Sequence, residues 1–159
     1  MGLGYQNKLL AHVPKDLKRF KQLTEGKICI QGRNTYESIV AMNGKPLPNR
    51  TNIVLTNQGD YETSNGTLVF NSVRDVLDEY ERAGEDAELM VIGGSQVYKD
   101  FLPFADTIHL TVLANKFDKV DTYFPDFNLD EWNVSFIENH SPDENNPFYY
   151  LFTTYNKIK

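Results

Sequence analysis

The chain has 159 residues, 40% of them hydrophobic, which suits a single domain, spanning 1–159, with a hydrophobic core. Its 22 acidic and 16 basic residues give a net charge of -6 without a basic tract, which argues against nucleic acid and anionic membranes as partners. One cysteine excludes an intrachain disulfide, and no apolar stretch is long enough to cross a membrane, so we expect a reducing, cytoplasmic location.

The first predicted helix begins at Pro14 and places an acidic residue on its apolar face. Pro14 suits a first helical turn, and Asp16 lies between Val13 and Phe20 at helical spacing, so its side chain should point toward the core. Burying an unpaired carboxylate is costly, so Asp16 is expected either to find a partner or to meet a ligand. The alternative is that Asp16 only complements the helix dipole. The basic residues of this helix, Arg19 among them, are predicted mostly on the opposite, solvated side.

Strand and helix patterns alternate through the middle of the chain. Strands are predicted at 27–31, 51–56, 67–70 and 88–92, and helical patterns follow the first, third and fourth of them. Ser72 is the predicted N-cap of the second of these helices. Cys29, inside the first strand, is predicted to be a buried and inert thiol.

Beyond Pro103 the pattern changes to strands alone. Strands are predicted at 107–113, 132–137 and 148–155, and the polar segment 141–147 joins the last two as a hairpin. We therefore predict an α/β fold: a mixed, mostly parallel central sheet with helices on both faces and a C-terminal antiparallel hairpin.

Two glycine turns each join the end of a strand to the start of a helix. They are Gly32-Arg33-Asn34-Thr35 and Gly93-Gly94-Ser95-Gln96. Such turns present backbone N–H groups and the positive end of a helix dipole, which suits phosphate, although each alone is more often a simple turn. Because ligands gather at the carboxyl ends of parallel strands, the two turns together predict a dinucleotide.

Three further residues are candidates, although the pattern alone favours a structural explanation for each. Arg50 follows a rigid Leu-Pro-Asn segment and could grip a carboxylate bidentately, or it could be a solvated surface arginine. Tyr98 shares a helical face with core residues, and Thr111 lies in a strand where threonine is common. The histidines and the cysteine lack metal-ligand spacing, so no metal site is predicted.

Five motifs resemble those of dihydrofolate reductases in order and interval, over essentially the whole chain. They are Leu17 to Phe20 after Pro14 and Asp16, then 32–38, 47–52, 92–98 and 121–125. The resemblance implies that the chain reduces 7,8-dihydrofolate to tetrahydrofolate by hydride transfer from NADPH, supports one-carbon metabolism and thymidylate synthesis, and belongs to an antifolate target family. We expect a monomer.

The resemblance also assigns the substrate side of the site. Asp16 matches the acidic residue that hydrogen-bonds the pterin and promotes protonation beside the carbon that accepts hydride, and Thr111 matches the threonine of that network. Arg50 matches the clamp for the glutamate α-carboxylate. The other residues matched to the pocket are Leu17, Phe20, Ile39, Ile92 and Tyr98.

On the cofactor side, the resemblance assigns both glycine turns to the phosphates of NADPH. Arg33 supplies a positive charge near the adenosine 2′-phosphate, and Leu9 lies in the loop that closes over the nicotinamide. The full set of matched cofactor residues is Leu9, Gly32, Arg33, Asn34, Thr35, Thr56, Asn57, Gly93, Gly94, Ser95, Gln96 and Val97.

Three departures from the family pattern leave a second hypothesis open. The family usually has an apolar strand before the segment that here begins at Met1, and without it two neighbouring strands are expected to lose their shared partner. Ala11 replaces a usual tryptophan, and an insertion at 40–43 is expected to form a surface loop. The alternative is a weakly active or non-catalytic relative that binds folate or NADPH. Pyrimidine reductases of similar fold fit less well, because Asp16 and Arg50 suit a pterin-glutamate substrate.

Overall fold

The computed structural model describes residues 1–5, 8–9, 12–64, 66–82 and 87–159, with the backbone alone at residues 4, 5, 8, 9 and 122. These residues form two compact units, one of 1–20 with 102–159 and one of 21–101. The organisation as one domain over 1–159 stays a prediction. In the part of the chain described, no helix is long and apolar enough to cross a membrane.

Unit 21–101 is built on a parallel sheet of four strands in the order β5-β4-β3-β6. The strands are β3 (Ile28–Gly32), β4 (Thr51–Leu55), β5 (Leu68–Phe70) and β6 (Leu89–Gly93). The helices are α2 (Arg33–Asn43), α3 (Val73–Arg82) and α4 (Ser95–Phe101). The predicted α/β class, with a parallel sheet and helices, is therefore confirmed.

The core of this unit explains the order of its elements. Ile30 of β3 and Ile53 of β4 are paired in register and are completely buried. Val76 of α3 and Val97 and Phe101 of α4 complete the cluster. Branched side chains of this kind pack well on a pleated sheet, so the strands that carry them lie at its centre.

The predicted state of the single cysteine is confirmed. Cys29 lies in β3 with none of its surface exposed, and it is a free thiol. Burial raises the pKa of this thiol to about 11, and the nearby cations of Arg50 and Lys27 only partly oppose that shift. The thiol is therefore protonated and unreactive at neutral pH.

The other unit contains an antiparallel sheet in the order β7-β10-β9. The strands are β7 (Thr107–Leu113), β9 (Trp132–His140) and β10 (Tyr150–Lys157), and β9 with β10 is the predicted C-terminal hairpin. The antiparallel strands form a sheet of their own. Val13, Tyr150 and Phe152 are the buried centre of this unit.

A small sheet in the same unit was absent from the sequence prediction. It pairs β1 (Gly2–Tyr5) with β2 (Lys8–Leu9) and with β8 (Thr122–Tyr123). Strands this short carry too few residues to show an alternating pattern. Two 3-10 turns, Leu102–Phe104 and Leu129–Glu131, complete the unit, and helix α1 (Pro14–Thr24) runs across the boundary between the two units.

The prediction of a surface loop at 40–43 is wrong, because α2 continues through Asn43. The helix ends only where Gly44 adopts a left-handed backbone, φ 76°, and donates its N–H to the carbonyl of Val40.

Among the described residues, β6 pairs only with β3 and β7 pairs only with β10, so both are edge strands there.

Replacing the buried Ile53 with alanine is expected to lower the free energy of unfolding by about 2–5 kcal/mol, because it removes core contacts and leaves a cavity. The control is Ile137→Ala in β9, since that side chain is 57% exposed, and its cost should stay below about 1 kcal/mol. Urea unfolding of both variants measures the difference. Equal costs would show that the cluster around Ile53 is not the core of its unit.

Candidate active site

The carboxylate singled out in the sequence has a specific partner. Asp16 lies in the first turn of α1, half-buried, and Thr111 lies in β7 opposite Phe152 of β10. The Thr111 hydroxyl donates to Asp16 Oδ1 at 2.6 Å. The bond fixes the orientation of the carboxylate, so a dipole role alone does not account for Asp16. The structure thus brings together the two residues predicted to be catalytic.

The prediction that Arg19 lies on the solvated side of α1 is wrong. Its guanidinium carbon lies 4.7 Å from the ring centre of Phe152, and Nη2 donates to Thr154 Oγ1 at 3.2 Å. It therefore packs on the sheet instead of pointing into solvent, because an arginine can stack its planar group on an aromatic ring. Partial burial lowers the pKa of Arg19, and the carboxylates of Asp16 and Glu138 act in the opposite direction. A cation thus shares the surroundings of Asp16.

The two glycine turns lie side by side in unit 21–101. A Cβ on Gly32 would lie 3.1 Å from Val97 Cγ2 and 4.0 Å from the carbonyl oxygen of Gly93. A Cβ on Gly94 would lie 3.6 Å from Thr35 Oγ1. The missing side chains let the two turns pack closely against each other, and the first-turn N–H groups of two adjacent helix starts suit the phosphates of a dinucleotide.

A helix begins within each of the two glycine turns. α2 begins at Arg33, so Arg33, Asn34 and Thr35 form its first turn, and α4 begins at Ser95. Gln96 donates to Asp100 Oδ1 at 2.8 Å along α4. The first turn of each helix presents backbone N–H groups beside its glycine, as the sequence predicts.

Arg33 lies against the loop that was assigned to the 2′-phosphate. Its Nη1 donates to Gln58 Oε1 at 3.1 Å, and the N–H of Gln58 donates to Thr56 Oγ1 at 3.3 Å. Asn57, between them, is exposed. Arg33 Nε also lies 3.9 Å from Glu37 Oε1, one helical turn away. The structure therefore brings Arg33 to the Thr56–Asn57 segment, with Gln58 as the link.

Arg50 is held at two of its donors. Nε donates to Thr24 Oγ1 at 3.1 Å and Nη1 donates to the carbonyl of Pro48 at 2.8 Å. Asn49, immediately before it, has the left-handed φ of 58°. These contacts keep the guanidinium in one place, which is unlike a mobile surface arginine.

The remaining predicted residues are spread over several elements. Leu17, 45% exposed, and the half-buried Phe20 lie on α1 with Asp16, while Ile39 lies on α2 and Ile92 on β6, both half-buried. Their roles stay predictions.

Two predicted residues are described more specifically by their neighbours. The Tyr98 ring lies 3.4–3.6 Å from where a Gly93 Cβ would stand, so Tyr98 closes one side of that turn. Leu9 lies in β2 opposite Gly4, and its side chain lies outside the described residues, as does all of Ala11.

Sequence reasoning missed Arg19, Gln58 and Asn146, which contacts the start of α1. The spacing of three residues between Asp16 and Arg19 was an available signal, because such residues are neighbours on a helix. Gln58 directly follows the predicted Thr56–Asn57 pair. Asn146 had no local signal, since its partner Lys15 is 131 residues away.

Comparisons with known proteins agree with this geometry. The family model described as dihydrofolate reductase matches residues 1–157. A dihydrofolate reductase of Bacillus subtilis is 41% identical over 155 residues, which are 98% of this chain and 87% of that protein. One of Haemophilus influenzae is 39% identical over 147 residues, covering 92% and 85%. The solved structure of a dihydrofolate reductase from Enterococcus faecalis, complexed with NADP(H) and RAB-propyl, is similar with a TM-score of 0.84 and 34% identity, covering 98% and 89%.

Gly93→Ala is expected to lower the free energy of unfolding by about 1–3 kcal/mol, because φ at Gly93 is 119°, where a side chain is strained. Gly59→Ala is the control, since a Cβ there would have no neighbour within 4 Å, and its effect should stay within about 0.5 kcal/mol. Thermal unfolding measures both. If the two variants are equally stable, the turn at Gly93 does not require glycine.

Proposed function

Because this chain belongs to the dihydrofolate reductase family, we propose that its site residues are those whose geometry is given above, with Asp16 and Thr111 at the pterin and the two glycine turns at NADPH. The enzyme catalyses the NADPH-dependent reduction of 7,8-dihydrofolate to tetrahydrofolate. The observation that carries the residue assignment is the hydrogen bond from Thr111 to Asp16.

Asp16 binds and orients the pterin. Its Oδ1 accepts the Thr111 hydroxyl, and since a carboxylate accepts at both oxygens, Oδ2 can take an N–H of the pterin at the same time. Bound NADPH supplies the hydride, which joins the ring carbon next to the nitrogen that takes a proton. Asp16 favours that protonation by placing a negative charge beside the ring, and a positioned acid or base of this kind contributes about 10²–10⁴-fold in rate.

Arg50 binds the other end of the substrate. A guanidinium binds a carboxylate through two parallel N–H···O bonds, and the contacts with Thr24 and Pro48 reduce the entropy lost when it does so. Five further residues are assigned to substrate binding by their match to the family. These residues are Leu17, Phe20, Ile39, Ile92 and Tyr98.

The glycine turns bind the phosphates of NADPH through backbone N–H groups and the two helix starts. Asn34, Thr35, Ser95, Gln96 and Val97 belong to these first turns. Arg33 meets the 2′-phosphate together with Thr56 and Asn57, and Leu9 contacts the nicotinamide.

The net charge and the single thiol support a proposal about the partners and the cellular location of the enzyme. A net charge of -6 opposes binding to nucleic acid, and the lone buried Cys29 is consistent with a reducing compartment. We infer a cytoplasmic monomer whose product enters one-carbon metabolism.

Asp16→Asn is expected to lower turnover at neutral pH by about 10²-fold or more, because the amide carries no negative charge to favour protonation of the ring. Its effect on the Michaelis constants of both substrates should be much smaller. The assay follows NADPH oxidation with dihydrofolate by absorbance. Asp75→Asn is the matched control, an exposed acid in the first turn of α3, and should keep full turnover. Full turnover in Asp16→Asn would remove Asp16 from the mechanism.

Arg33→Gln is expected to raise the Michaelis constant for NADPH about tenfold, which corresponds to losing about 1.4 kcal/mol of binding to the 2′-phosphate. NADH lacks that phosphate, so its Michaelis constant should change little. Arg74→Gln is the control, because Arg74 also pairs with an acid one turn along its helix, at 3.1 Å from Asp78. A loss of equal size with both cofactors would show that Arg33 does not recognise the 2′-phosphate.

A further inference from the structure

Helix α1, which carries Asp16, begins without a cap of its own. Val13 is at the N-cap position, because its carbonyl accepts the N–H groups of Asp16 at 2.9 Å and Leu17 at 3.2 Å. Its side chain is buried with Tyr150 at the centre of the unit and has no oxygen that could accept a hydrogen bond. Burial of Val13 in the core thus removes the usual source of a helix cap.

A distant asparagine supplies the missing acceptor. Pro14, the first residue of α1, has no N–H, so the N–H of Lys15 is the first donor of the helix. That N–H donates to Asn146 Oδ1 at 3.1 Å, across 131 residues of sequence. Asn146 is 2% exposed, so its amide oxygen would lose a partner that water cannot easily replace if this partly buried bond were broken.

Asp143 fixes the amide of Asn146 in the required orientation. Its Oδ1 accepts Asn146 Nδ2 at 2.8 Å and the backbone N–H of Asn146 at 2.8 Å. It also accepts the N–H of Asn145 at 2.9 Å. These hydrogen bonds, those of Asn146 and Asn145 first, hold the pKa of Asp143 below its ordinary value. With Nδ2 bound to Asp143, Oδ1 is the atom that faces Lys15.

The ion pair between the same segments is a minor contributor. Lys15 Nζ lies 3.7 Å from Asp143 Oδ2, and the two side chains are 51% and 41% exposed. Exposed pairs of this kind contribute little to stability. The hydrogen bond to the Asn146 amide is therefore the stronger of the two contacts between the hairpin loop and the start of α1.

We propose that Asn146 and Asp143 are positioning residues of the enzyme, which hold the first turn of α1 where Asp16 meets Thr111. Asp16 directly follows Lys15, so the capped amide and the carboxylate belong to one turn. Thr111 lies on β7, which pairs with β10, and β10 begins four residues after Asn146. The acceptor and the hydroxyl that hold this turn thus both belong to the sheet and its hairpin loop.

This inference rests on the proposed role of Asp16, and its test measures the two together. Asn146→Ala is expected to lower turnover about tenfold, because misplacing a reacting group by a fraction of an ångström costs rate. The Michaelis constant for NADPH should not change. Asn145→Ala, which keeps its backbone bond to Asp143, and Lys15→Gln, which removes only the ion pair, should both keep full turnover. Asp143→Asn is the milder variant and should also lower turnover, by a smaller factor than Asn146→Ala.

A double variant separates positioning from simple destabilisation. If Asn146 acts through Asp16, adding Asn146→Ala to Asp16→Asn should cause no further loss of turnover, whereas a merely structural role would lower turnover by the same factor in both backgrounds. That equal factor would overturn the positioning role, as would full turnover in Asn146→Ala. If Asn146→Ala does not fold, Asp143→Asn takes its place in the same cycle.

The outcomes distinguish this inference from the proposed function. Loss of turnover in Asp16→Asn without loss in the loop variants overturns the positioning role alone. Full turnover in Asp16→Asn overturns the proposed role of Asp16, and the positioning role with it.

Discussion

The parallel pairing of β3 with both β4 and β6 is the constraint on which the position of the two glycine turns depends. Gln31 of β3 is buried and donates to Asn52 Oδ1 at 3.3 Å, which leaves little freedom for the register of β3 against β4. A slip by one residue would place this polar pair on the wrong face and leave it unsatisfied. In the register observed, Gln31 is opposite Gly93 on the other side, so the strands end together and their glycine turns meet.

The carboxylate half depends on an antiparallel sheet instead. Phe152 of β10 is opposite Thr111 of β7 and is also the ring on which Arg19 packs. One strand therefore positions the hydroxyl that orients Asp16 and the aromatic face that holds a cation near it. Helix α1 is fixed between these contacts and the hairpin loop, so the position of Asp16 follows from tertiary contacts more than from its own helix.

The sequence was sufficient wherever the relevant signal was local. Strands with apolar runs, the Ser72 cap and the glycine turns all show within a few residues, and Asp75 donates its N–H to Ser72 Oγ at 3.1 Å as predicted. One prediction failed because residues distant in the sequence determine where the side chain lies. Arg19 was predicted to lie in solvent, because the aromatic rings on which it packs belong to Phe136 of β9 and Phe152 of β10, more than a hundred residues away. The continuation of α2 to Asn43 is a different case, because its signal was local: the left-handed Gly44 that ends the helix directly follows Asn43.

The charge distribution shows how an acidic chain can bind two anionic ligands. With a net charge of -6, the long-range field of the protein opposes both NADPH and the glutamate of folate, so attraction must arise at short range. Arg33 and Arg50 are the residues proposed to meet this need, and Arg33 donates to a neutral oxygen, Gln58 Oε1. A guanidinium bound to a neutral acceptor keeps its full charge for a ligand, whereas a close carboxylate would neutralise it. Glu37 Oε1 lies 3.9 Å from Arg33 Nε and also accepts the Tyr61 hydroxyl at 3.0 Å. The Glu37 carboxylate is thus shared between Arg33 and the Tyr61 hydroxyl, which weakens its competition with an anionic ligand and favours the role proposed for Arg33.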